Sequence, residues 1–245
     1  MDQIDLIHQT DWKNLIILDS CRFDLFSDIY SNYFNGALQC VDSPAGSTHE
    51  WLRKVFPNFY DSTMYSAHPA VNNEDRETLG YQANMHFLNV NHLVGDYGAG
   101  EINKRILNDI HGQQWHGRNI IWYNQPHLPW LGKTRADLAI YEDLRNGVWD
   151  REFVVKAYKE NLQYVLRYVH QLVNRLWGKT VITSDHGELL LDENLPPTKQ
   201  FGHCQELYQF RCELREVPWL EIDKPKRVIR PQYVDSLIKS KQTHL

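Results

Sequence analysis

The chain reads as an α/β protein: a mostly parallel central sheet between two layers of helices. Two observations predict this. Short runs that are apolar on both faces mark strands buried in the middle of a sheet, and segments with apolar residues at steps of three and four alternate with them. A third observation concerns function. Several of these strands end in Asp or His, and in open α/β sheets ligands gather beyond the carboxyl ends of the strands.

In chain order, Asn14-Leu15-Ile16-Ile17-Leu18 is the first such strand and runs into Asp19-Ser20. Arg22 to Tyr30 carries Phe23, Phe26 and Ile29 at a spacing of three and predicts a helix. A strand is expected at Ala37 to Val41, then a helix over His49 to Phe56 opened by a hydroxyl cap in Ser47-Thr48. Residues 58–100 are polar and weakly periodic, and are expected to form loops around one short strand near Thr63 to Ser66. A helix over Glu101 to Ile110 leads to the strand Asn119-Ile120-Ile121-Trp122-Tyr123, which ends at Gln125-Pro126-His127-Leu128-Pro129-Trp130. The strongest helical signal is Glu152 to Trp177, where Val155, Tyr158, Leu162, Val165, Val169, Leu172 and Leu176 share one stripe and Gly178 ends it. Thr180 to Thr183 is the next strand and leads into Ser184-Asp185-His186-Gly187-Glu188. A strand at Val217 to Ile222 and a helix at Val234 to Ser240 close the reading.

With 245 residues and no linker, repeat or low-complexity tract, one domain over 1–245 is expected. Lys plus Arg is 26 against 31 Asp plus Glu, a net charge of −5, which argues against nucleic acid as the partner. The longest apolar run is far too short for a membrane span. The opening Met1-Asp2-Gln3-Ile4-Asp5 lacks the basic and apolar regions of a signal peptide. Four cysteines (Cys21, Cys40, Cys204, Cys212) include no CxxC pair. A cytoplasmic protein with reduced thiols is the expectation.

Asp19, His127, Asp185, His186 and His203 converge on one sheet edge if their strands share a sheet. Carboxylate and imidazole donors suit borderline divalent ions such as zinc or manganese. Each could instead be a helix cap or a satisfied polar group. Gly187 gives the backbone room to bend after the Asp-His pair. Ser47 and Thr48, at a helix start where backbone N–H groups favour an anion, are candidate nucleophiles. His49 could approach the site and His68, His86 and His92 could line the pocket, but each is more simply read as packed or solvated, and Cys21 as a small buried residue.

These segments resemble a known superfamily. Leu18-Asp19-Ser20-Cys21-Arg22-Phe23-Asp24 is similar to the first metal-binding segment of the alkaline phosphatase and sulfatase superfamily, and Thr183-Ser184-Asp185-His186-Gly187-Glu188 closely resembles its late metal-binding turn. Phe201-Gly202-His203, followed by Val217-Pro218-Trp219, is similar to its closing histidine and last strand. Gln125-Pro126-His127-Leu128-Pro129-Trp130 resembles its His-x-Pro segment, and the helix with Tyr158 and Asn161 stands where these proteins carry a long helix. Gly46-Ser47-Thr48 is similar to the Gly-x-Thr segments of the phosphoglycerol and phosphoethanolamine transferases, which favours Thr48 over Ser47.

The resemblance implies an alkaline-phosphatase-like αβα fold and one or two divalent metal ions. Asp19, Thr48, Asp185 and His186 would surround the principal metal. His127 and His203 would hold substrate oxygens or a second metal, and Arg22 would contact an anion or pair with Asp24. The implied activity is hydrolysis of a phosphate mono- or diester, or a related sulfate or phosphonate ester, through a phosphothreonine intermediate. The substrate would be a small anionic ester or a glycan. The alternatives are transfer to a hydroxyl acceptor and a non-catalytic binding protein. The x-Pro-x-Arg pattern that follows a cysteine or serine in true sulfatases is missing, and Cys204 lacks the Cys-x5-Arg loop of thiol phosphatases.

Overall fold

The computed structural model describes residues 2–66, 68, 71, 82–87, 98–112, 117–146, 148–194 and 201–224. The expected helix at Val234 to Ser240 and His92 lie outside them. The sheet strands are β1 (Asn14–Leu18), β2 (Ala37–Asp42), β3 (Phe59–Ser66), β4 (Gln82–Phe87), β5 (Arg118–Tyr123), β8 (Thr180–Thr183) and β11 (Glu216–Ile222). Two small hairpins pair β6 (Trp130–Leu131) with β7 (Arg135–Ala136) and β9 (Leu189–Leu190) with β10 (Phe201–Gly202). The helices are α1 (Gln3–Gln9), α2 (Phe23–Ser27), α3 (Thr48–Val55), α4 (Ala99–His111), α5 (Ile140–Arg145), α6 (Arg151–Val173), α7 (Gln205–Tyr208) and α8 (Cys212–Arg215).

Seven strands form one sheet in the order β2-β11-β8-β1-β5-β3-β4, and only β11 runs against the rest. β1 lies at the centre, in register with β5 (Leu18 beside Tyr123) and β8 (Ile17 beside Thr183). That placement is why its whole run is buried: both faces are covered, so alternation would expose apolar surface. Ile16, Leu18, Ile121 and Ile182 face a layer built by α2, α4 and α6; Leu15, Ile17, Trp122 and Val181 face α1 and α3. Each fully buried Leu or Ile contributes roughly 1.5–3 kcal/mol relative to exposure.

The helices start where the chemistry allows. Asp2 caps α1 by accepting from the Ile4 N–H (2.8 Å), and Asp150 caps α6 by accepting from Phe153 (2.7 Å). α3 buries Thr48, Trp51, Leu52 and Val55, the i, i+3, i+4, i+7 stripe. Ser47 occupies its N-cap position, but its side chain makes no capping bond.

The polar stretch after α3 departs from expectation. β3 begins at Phe59 rather than near Thr63, and β4 is a strand where only loop was expected. β4 lies at the sheet edge and is held by parallel pairing to β3, which Gln82 and Asn84 do not advertise in a window of local sequence. The first expected helix is also shorter, ending at Ser27 before a 3-10 turn at Tyr30–Asn32, and α6 stops at Val173.

Candidate metal and nucleophile site

The upper edge of the sheet, at the carboxyl ends of β1, β3, β5 and β8, collects the predicted residues. Asp19 follows β1, His127 follows β5, and Asp185 and His186 follow β8. Donor atoms of Asp19, Asp185 and His186 all lie within 4.8 Å of one another. His186 Nε2 is 3.2 Å from Asp185 Oδ2 and 4.0 Å from Asp19 Oδ1. Thr48 Oγ1, at the first turn of α3, donates to Asp185 Oδ2 at 2.7 Å and lies 3.4 Å from His186 Nε2. Of the two hydroxyls considered, Thr48 is the one in the cluster.

Backbone geometry fixes these groups. Ser20 sits in the left-handed region (φ 59°), unusual for a residue with a side chain. It is held there because its N–H donates to Asp185 Oδ1 (3.1 Å) and its carbonyl accepts from Tyr158 OH (2.6 Å). The Arg22 N–H in turn donates to that phenol oxygen (3.1 Å). Ser184 Oγ accepts from the Cys21 N–H (2.7 Å), tying the two metal-type turns together. Gly187 has no positive φ; it is a glycine because a Cβ there would overlap the Glu213 carbonyl oxygen. Close approach, not a bend, is its reason.

His186 Nδ1 lies 2.9 Å from the Gly187 carbonyl, an acceptor only, so Nδ1 carries the proton and Nε2 is left to face Thr48 and Asp185. His127 does the same with the Leu128 carbonyl at 2.8 Å. Its loop hangs from Asn161, whose Nδ2 lies 2.9–3.2 Å from the carbonyls of Pro126, His127 and Pro129 while Oδ1 accepts from Leu131. Tyr158 and Asn161, three residues apart on α6, thus position two different walls of the cleft.

One site residue escaped the sequence reading, and a second was read more simply as packed or solvated. Glu188, 1% exposed, lies 3.3 Å from His203 Nδ1, and His127, Glu188 and His203 form a second donor group within 4.8 Å. A buried acid two residues after His186 was the available signal. The His203 ring stands 4.2 Å from that of His186 and 5.4 Å from that of His127, so the two groups adjoin. The second residue is His68, whose Nε2 is 3.0 Å from Asp19 Oδ2. Its irregular segment offers it only as one of several histidines able to line the pocket.

Arg22 does not face this cluster. Its guanidinium donates to Asp24 (3.0 and 2.7 Å) and to both oxygens of Asp192 (3.0 and 2.9 Å), which occupies the fork. The ion-pair reading, extended by Asp192, replaces the anion contact.

The electrostatics ask for a cation. Burial, then the charge of Asp19, pushes Asp185 up to about 7. Burial opposes the charge on Asp19 too, but His68 and His127 hold its carboxyl low. Burial, then His203, lowers His186. Burial resists a charge on His203, yet Glu188 carries it up to about 9. Asp19 Oδ2 is buried and lies 3.0 Å from His68 Nε2. Two buried carboxylates beside the Nε2 of His186 fit a divalent ion.

No protein-family model matches the chain, and no curated protein does. Solved structures with similar architecture are found. The periplasmic domain of phosphoethanolamine transferase EptC from Campylobacter jejuni superposes with a TM-score of 0.54 at 13% identity, over 93% of this chain and 81% of that one. Integral membrane phosphoethanolamine transferase EptA from Neisseria meningitidis gives 0.57 at 14%, over 84% of this chain and 47% of that one. Phosphonate monoester hydrolase from Agrobacterium radiobacter gives 0.53 at 11%, over 86% and 67%. The α/β fold is shared with these phosphoethanolamine transferases and with the phosphonate monoester hydrolase. At these identities the likeness concerns the fold, and this chain spans less than half of the Neisseria protein. Among the described residues, no helix is long and apolar enough to cross a membrane.

Proposed function

We propose that the chain is a metal-dependent enzyme that cleaves phosphate esters through Thr48. The observation that carries this reading is the 2.7 Å hydrogen bond from Thr48 Oγ1 to Asp185, inside a buried cluster of two carboxylates and an imidazole. A hydroxyl there has no packing role that a valine could not fill.

Asp19, Asp185 and His186, with Thr48, would hold one divalent ion, zinc or manganese by donor type; His127, Glu188 and His203 could hold a second. The ion supplies a lowered hydroxyl pKa and charge compensation for the transferring group. The remaining chemistry belongs to the chain. Asp185 Oδ2 fixes the direction of the Thr48 hydroxyl, and the first turn of α3 presents backbone N–H groups to an anion. Thr48 Oγ1 forms the bond to phosphorus as the leaving-group oxygen departs, and its proton passes to Asp185 or solvent. With no second ion bound, His203, kept protonated by Glu188, donates a hydrogen bond to a non-bridging oxygen, and His127, whose Nδ1–H is spent on the Leu128 carbonyl, lines the same wall. Water then attacks the phosphothreonine and regenerates the hydroxyl.

Hydrolysis and transfer differ only in the second acceptor. The neighbours' names favour keeping both: two are phosphoethanolamine transferases and one a phosphonate monoester hydrolase. The test is zinc- or manganese-loaded protein with aryl phosphate mono- and diesters. The expected outcome is a phosphoryl adduct mapped to Thr48 and a loss of about 10³-fold or more in turnover for Thr48→Ala with melting temperature retained. Adding glycerol or a sugar as acceptor partitions the product between hydrolysis and transfer. Wild-type turnover in Thr48→Ala would overturn the assignment.

A further inference from the structure

Three parallel strands deliver side chains to the upper edge side by side, and the outermost has a passenger the reaction scheme does not use. β3 leaves the sheet at Ser66, which lies in register with Trp122 of β5, and Trp122 lies in register with Ile17 of β1. Two residues on, His68 reaches over Trp122 (ring centroids 6.1 Å apart) to the end of β1, where Asp19 stands. The turn that carries it is fixed: the His68 N–H donates to Ser66 Oγ (3.0 Å), and the Val71 N–H donates to the His68 carbonyl (3.0 Å). The ring is largely buried, with 13% of the side chain exposed.

The two oxygens of Asp19 have different neighbours. Oδ1 accepts from Ser20 Oγ (3.1 Å) and lies on the side of His186, at 4.0 Å from Nε2. Oδ2 lies 3.0 Å from His68 Nε2, within hydrogen-bond reach. A carboxylate free to spin about its Cβ–Cγ bond would present either oxygen, or both, to a cation; one clamped at Oδ2 presents Oδ1.

We propose that His68 is a positioning residue: its Nε2–H engages Asp19 Oδ2 and so aims Oδ1 at the cation site shared with Asp185, His186 and Thr48. This rests on reading that cluster as a metal site. Partners that orient ligands in this way are worth about 10- to 100-fold in metal affinity.

The experiment compares wild type, His68→Ala, His68→Gln and His68→Asn for zinc affinity by competition with a chromophoric chelator, alongside cobalt(II) absorption spectra and the metal-free melting temperature. Expected are zinc binding about 10- to 100-fold weaker in His68→Ala and recovery of most of that loss in His68→Gln, whose amide N–H reaches as far as Nε2. The cobalt band positions in His68→Gln should match wild type. Unchanged affinity in His68→Ala overturns the proposal. So does a shifted cobalt spectrum with no rescue by either amide, which would make His68 a direct ligand. Wild-type protein that binds no stoichiometric metal removes the metal-site reading itself, a failure visible before any variant is measured. If His68→Ala does not fold, the two amide variants alone decide between clamp and ligand.

Discussion

The two ends of the sheet bury polar groups in opposite ways. At the lower end, Asn14 donates to the Trp177 carbonyl and to Thr180 Oγ1, both at 3.1 Å. Arg118 stacks 4.1 Å over Trp12 and spends its donors on the carbonyls of Thr10 (2.5 Å) and Trp12 (3.1 Å) and on Tyr60 OH (2.6 Å). What that end leaves unpaired among the described residues is neutral: Asn14 Oδ1, Asn119 Oδ1 and Ser62 Oγ. The upper end instead buries Asp19, Asp185 and Glu188 beside His68, His127, His186 and His203, where burial and then the charge of Asp19 push Asp185 up to about 7. Polar burial that satisfies backbone carbonyls is architecture; polar burial that stores uncompensated charge waits for a ligand.

The largest effect that tests this contrast is Asp185→Asn. Turnover on aryl phosphates should fall about 10³-fold or more, while the metal-free protein melts at the same temperature or higher. The sign follows from the raised carboxyl: at pH well below the ordinary carboxyl value both states are protonated, and as pH rises towards 7 only the unfolded chain ionises freely, which favours unfolding. The relief in Asp185→Asn therefore grows between about pH 4 and 7 and levels off above. Melting curves of chelated protein across that range check it, and a large destabilisation would erase the distinction between the two ends.

Next is the reverse case, Arg118→Met. It should lower stability by about 2–3 kcal/mol, from the lost carbonyl hydrogen bonds and the stack on Trp12, and leave kcat within about twofold. Urea unfolding with parallel kinetics measures both, and loss of activity without loss of stability would contradict it. Smallest is Asn161→Ala, which touches the upper end only through the loop it holds: about 2 kcal/mol in stability and roughly tenfold in turnover are expected, with zinc affinity at the Asp19 cluster unchanged.

Much of this was readable from the amino acids, for reasons that differ by region. β1 and β8 showed their limits because central parallel strands are apolar on both faces. Asp19, Thr48, Asp185, His186, His127 and His203 were legible because strand ends and a helix start announce themselves locally, and the structure places all six at one edge. β4 was not, and His68 was no more than one of several histidines able to line the pocket, since an edge strand and an irregular turn owe their places to partners distant in the chain. Arg22 stood near the right residues, but its direction depended on Asp192, 170 positions away.

Because Tyr158 and Asn161 occupy consecutive turns of α6, the angular phase of one rod sets the gap between the Asp19 turn and the His127 loop. Adding or deleting a single residue between them would swing one anchor by about 100° relative to the other. The spacing of the two walls is therefore written in the residue count of the rod.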